Sequence, residues 1–189
     1  MQALKINLEL ILTKLGKLEP IENDSYINVY RSLQSFTKRQ SIKDQTTFIG
    51  LAHMVYGWMP TILTFDSGRE MAPELFDKIE GGCLEADFLA ELKQIVNHSI
   101  VGTSKVLHFL NCEDYAIWDS RVYCSITGKK AYEYRVNSVE IYIEYMNQMR
   151  KVAKELDREY VNQELVRKGY CTKDTSVLRM IELILFYGI

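Results

Sequence analysis

Residues 99–109, SIVGTSKVLHF, and residues 115–123, YAIWDSRVY, decide how this chain is read. The first is an apolar helical stretch that carries a glycine and a single lysine. The second runs apolar until an aspartate opens another helix. Gly102 permits a positive φ, so the spacing predicts a turn there between two helices, with Lys105 at the start of the second. That helix would aim its first amides and the positive end of its dipole outward, where an anion such as a phosphate can sit. Asp119, fourteen residues on, supplies an oxygen for the unpaired amides of the next helix.

Helical periodicity extends outward from this pair in both directions. Leu4, Leu8, Ile11, Leu12 and Leu15 recur at three and four residues before Gly16. A second helix follows Asn23-Asp24-Ser25 with Tyr26, Tyr30, Leu33 and Phe36 facing inward. Asp44 caps the most apolar stretch, which Gly57 and Pro60 break near its middle. A short helix follows Pro73, and Gly81-Gly82 makes a turn. Leu84, Phe88, Leu89, Leu92, Ile95 and Val96 outline a further amphipathic helix, so the hairpin element spans 84–111. The helix carrying the aspartate spans 119–128. A long helix starts after Asn137-Ser138, and DTSVLRMIELILFYG is a central core helix capped by Asp174 or Thr175. The one candidate for strands is a small hairpin at Thr127-Gly128. The expected fold is all-α, a single domain over 1–189 or two lobes around a cleft.

Composition narrows the function classes. The chain has 189 residues, 47% hydrophobic and 25% charged, as ordinary globular proteins do. Cys83, Cys112, Cys124 and Cys171 form no Cys-x-x-Cys pair, which argues against a zinc or compact iron–sulfur site and for a reduced, cytoplasmic protein. No apolar run has membrane-spanning length. Net charge is −2, but residues 66–94 hold eight acids against three bases, and residues 121–173 hold eleven bases against seven acids. That segregation suits either a phosphate-binding face or a solvated helical surface. No Ser-His-Asp arrangement, paired-carboxylate hydrolase motif or P-loop is present.

Lysine and aspartate in this order suggest a nucleophile and its electrostatic partner. A lysine partly desolvated near a helix N-terminus loses affinity for its proton and offers a nucleophilic amine. A carboxylate facing a sugar stabilises positive charge developing at the anomeric carbon. Together they meet the needs of N-glycosidic bond cleavage. Gly102-Thr103-Ser104-Lys105-Val106-Leu107, followed by Ala116-Ile117-Trp118-Asp119-Ser120-Arg121-Val122, resembles the signature of helix-hairpin-helix DNA glycosylases, and more closely the 8-oxoguanine DNA glycosylase fold. The resemblance covers about 25 residues, with Ile100 in the place of the family's first hairpin glycine. It implies Lys105 as Schiff-base nucleophile, Asp119 as essential carboxylate, and duplex DNA with a flipped base as partner. It implies no metal or organic cofactor, and the lack of a long apolar run predicts no membrane partner.

Around this pair, Gly102, Thr103 and Ser104 belong to the candidate DNA-gripping hairpin. Trp118 and Trp58 offer faces on which an extruded base can stack, or else they pack the core. His98 either contacts phosphate or closes a helix end. Arg121 contacts phosphate or pairs with a carboxylate. The competing function class is a non-catalytic helical module on the same scaffold that binds nucleic acid or protein.

Overall fold

The computed structural model describes residues 4–40, 42, 44–59, 61–65 and 70–188. Among these the chain is all-helical, with eleven helices and one isolated bridge between Phe65 and Val96. In order they are α1 (Leu8–Lys17), α2 (Ser25–Thr37), α3 (Gln45–Trp58), α4 (Pro73–Glu80), α5 (Ala86–Ile95), α6 (Ile100–Leu110), α7 (Ser120–Thr127), α8 (Glu133–Val136), α9 (Val139–Glu155), α10 (Arg158–Arg167) and α11 (Val177–Tyr187). Every helix contributes to one cluster of buried apolar side chains. No helix among the described residues is long and apolar enough to cross a membrane.

Local chemistry explains most boundaries. Asp24 Oδ1 accepts the Ile27 amide of α2 at 3.1 Å, and Asp44 Oδ1 accepts the Thr47 amide of α3 at 2.9 Å. α3 stops at Trp58; Pro60, expected to break it, lies outside the described residues. Gly128, at φ 64°, closes α7 in the left-handed conformation that suits glycine, so the helix ends there and no strand hairpin forms at Thr127-Gly128. α11 is capped by Ser176, whose Oγ accepts the Arg179 amide, and not by Asp174 or Thr175. α10 is an additional helix, capped by Asp157.

The hairpin departs from expectation in three ways. Gly102 is helical; the turn between α5 and α6 is made by Asn97 and His98, at φ 53° and 51°. Asparagine adopts this region more readily than most residues, and here the Asn97 side chain is fixed by a distant segment: Nδ2 donates to Ile62 O and Oδ1 accepts the Thr64 amide. Lys105 is therefore in the middle of α6, away from the dipole's positive end. The first turn of α6 is also satisfied within the protein: Ile100 N–H donates to Asn137 Oδ1, Gly102 N–H to Ser99 Oγ and Thr103 N–H to Ser99 O. It does not present the row of free amides an anion site needs.

Candidate active site

Lys105 and Asp119 reach one place from two elements. Residues 115–118 form a buried non-helical segment, and their backbone is held by side chains of α6 and α9. Tyr142 Oη donates to Ala116 O, and Tyr145 Oη donates to Ile117 O at 2.9 Å. Trp118 N–H donates to Ser104 Oγ at 3.1 Å, while Trp118 O lies 3.2 Å from the same hydroxyl. Ser104 immediately precedes Lys105, and Trp118 immediately precedes Asp119. One buried hydroxyl thus sets the two candidate side chains in register.

Asp119 divides its two oxygens between two tasks. Oδ1 accepts the Arg121 and Val122 amides at 2.9 and 3.0 Å, capping α7. Oδ2 lies 3.9 Å from Lys105 Nζ, with both side chains about 15% exposed. That separation is an ion-pair contact and too long for a hydrogen bond, so the amine is not locked onto the carboxylate. Burial pushes the Lys105 ammonium below the ordinary lysine range, against the opposite pull of Asp119 and Glu182; Arg179 adds to the lowering. The sequence predicted this direction from desolvation at a helix N-terminus; the desolvation is present, but Lys105 sits in the middle of α6.

Both groups line a cavity of about 370 Å³. Trp58, Phe186, Tyr187 and Tyr26 supply aromatic walls, and Arg121 stands at the exposed rim with its guanidinium 4.5 Å from the Phe186 ring centre. Trp58 is half-buried, and its Nε1–H donates to Tyr26 O at 3.0 Å. Tyr26, expected to face inward, is exposed and lines this cavity.

The cavity wall also carries a buried ion pair on α11 that sequence reasoning missed. Arg179 Nη1 donates to Glu182 Oε2, and the guanidinium lies 4.1 Å from the Tyr30 ring centre. Arg179 Nε is buried without a partner. Burial pushes the Glu182 carboxyl up to about 7, opposed by Arg179 and reinforced by Asp119. Behind Tyr30, its hydroxyl is 2.8 Å from His108 Nε2, and His108 Nδ1 is 2.6 Å from Tyr115 O. Burial lowers His108 to about 3, so the ring is neutral and donates from Nδ1 to the carbonyl. The available signal was Arg and Glu three residues apart inside an otherwise apolar helix, since unpaired charges there are costly.

The remaining sequence candidates separate cleanly. Trp58 and Arg121 join Lys105 and Asp119 at the cavity. Trp118 does not stack on a ligand: it is fully buried, with Nε1–H donating to Val136 O at 2.9 Å. Gly102, Thr103 and Ser104 are buried and cannot touch a DNA strand. Gly102 is small because Tyr56 requires it; a Cβ there would fall 1.9 Å from Tyr56 Oη. His98 is exposed at the turn, Nδ1 bonded to Gln94 Oε1, and does not line the cavity. Among the described residues no cluster of three or more His, Cys, Asp or Glu side chains could hold a metal ion. No protein-family model, curated protein or solved structure matches the chain.

Proposed function

We propose that the protein is a DNA N-glycosylase that removes a damaged or modified base with Lys105 as nucleophile and Asp119 as its electrostatic partner. The observation that carries this reading is their convergence, 3.9 Å apart, on one aromatic-walled cavity. A volume of about 370 Å³ is within the range of small-ligand sites. The target nucleotide leaves the stack, at a cost of a few kcal/mol, and enters the cavity. Lys105 in its amine form, which burial favours, attacks the anomeric carbon while the glycosidic bond breaks, the bonding electron pair leaving with the base. Asp119 stabilises the positive charge that develops on the sugar. The amine gives up one proton to the departing base and the other to the ring oxygen as the sugar ring opens, leaving a Schiff base from which strand cleavage by elimination can follow.

The test is borohydride trapping on duplexes carrying 8-oxoguanine, other modified bases or an abasic site. Wild type should give a covalent adduct that Lys105→Gln does not form and Asp119→Asn forms far more slowly. A second reading, a non-catalytic module binding nucleic acid or protein, is supported by the internally satisfied amides at the start of α6. DNA binding without adduct or base release on every duplex would select it and overturn the glycosylase reading.

A further inference from the structure

A second cavity, of about 600 Å³, lies beside the opposite end of α7. Asp119 and Arg121 at the start of that helix belong to the first cavity, whereas Tyr123, Ile126 and Thr127 further along line the second. Lys5, Lys129 and Arg135 also line it, against one acid, Glu144. The acid is already engaged, since Glu144 Oε1 accepts the Leu4 amide at 2.7 Å and Gln148 Nε2 at 3.3 Å. Arg135 is held by phenols, donating from Nε to Tyr134 Oη at 3.1 Å and from Nη1 to Tyr123 Oη at 3.3 Å. Among the described residues neither Arg135 nor Lys5 makes an ion pair. An oriented guanidinium without a carboxylate is fitted for an external anion, above all a phosphate.

Beside these cations are two aromatic rings that packing does not explain. Tyr132 and Tyr134 are 47% and 69% exposed, yet stack on each other with centroids 5.9 Å apart and planes at 18°. Lys130 Nζ and the Arg135 guanidinium lie 5.6 and 5.8 Å from the Tyr132 ring centre. Exposed rings interleaved with cations are the elements of a platform for a nucleobase. We infer that this cavity is a second binding site, taking a nucleotide with its phosphate at Arg135 and Lys5 and its base against the Tyr132–Tyr134 pair. The ligand is a free mononucleotide or the phosphorylated end of a single strand, which share this chemistry. The site is independent of the glycosylase reading.

Calorimetric titration of the full chain tests it, using deoxyadenosine monophosphate, a 5′-phosphorylated single-stranded decamer, inorganic phosphate and a polyglutamate peptide. At least one nucleotide ligand should bind saturably, one per chain, and weaken about tenfold or more in both Arg135→Gln and the exposed variant Tyr134→Ala. Equal affinity for monomer and decamer identifies a free nucleotide; a tighter decamer identifies a strand end. Lys105→Gln should bind as wild type does. Four results would overturn the site: no saturable binding to millimolar concentration, binding unchanged in the folded Tyr134→Ala variant, loss of binding in Lys105→Gln, or phosphate or polyglutamate binding as tightly as the nucleotides.

Discussion

Gly102→Ala separates a packing glycine from a DNA-gripping one. By helix propensity alone this substitution in the first turn of α6 should stabilise by at most about 1 kcal/mol. The structure opposes that gain, because the added methyl would fall 1.9 Å from Tyr56 Oη and 3.0 Å from Tyr56 Cζ. Tyr56 is itself only 4% exposed, so its ring has little room to withdraw. Overpacking of a buried site costs up to about 3 kcal/mol, leaving a net loss near 2 kcal/mol, or about 4–8 °C in Tm for a chain of this size. Tyr56→Phe removes the atom in closest conflict. In that background Gly102→Ala should cost far less or turn favourable, giving a coupling of about 2 kcal/mol in a double-mutant cycle. Urea unfolding of the four proteins measures it. A neutral or stabilising Gly102→Ala beside wild-type Tyr56 would refute the packing argument, as would an effect indifferent to Tyr56. Loss of DNA binding at unchanged stability would restore the gripping role.

Three further outcomes test the site. Asp119→Ala should cost about 1 kcal/mol by uncapping α7, while Asp119→Asn retains the cap; equal melting of the two would refute the capping role of Oδ1. Ser104→Ala leaves the buried Trp118 amide without its acceptor, at about 1–3 kcal/mol, and should slow trapping in protein that is still folded by circular dichroism; unchanged unfolding and trapping would show that Ser104 does not set the register. Glu182 binds its proton more tightly in the fold than in the unfolded chain, its value raised from 4.5 to about 7. Its contribution is therefore fully present below about pH 4.5 and is lost as pH rises through about 7, roughly 3 kcal/mol across that window. Urea titrations from pH 5 to 8 should show this decline in wild type and a flatter profile in Glu182→Gln; a wild type that gains stability relative to Glu182→Gln over the same range would refute the assignment.

Elements under the control of local chemistry are legible in the chain. Asp24, Asp44 and Asp119 announce helix starts because a side-chain oxygen three residues or fewer from a free amide needs no distant partner, and each does cap a helix. Gly128 ends α7 for an equally local reason, the φ of 64° that a side chain resists. The order lysine then aspartate was legible too; Trp58 and Arg121 were candidates with a packing or pairing alternative, and both line the same cavity. Tertiary structure decided the rest. Whether Gly102 turns the chain or makes room for Tyr56 depends on a side chain from another helix, 46 residues away. Whether Trp118 faces a ligand or the core depends on Val136 O accepting its indole. Arg179 and Glu182 read as two charges in a core helix until folding places them in the wall that Lys105 and Asp119 share. A lysine's burial, and with it the lowered proton affinity a nucleophile needs, is the sum of everything packed around it, and no window of sequence contains that sum.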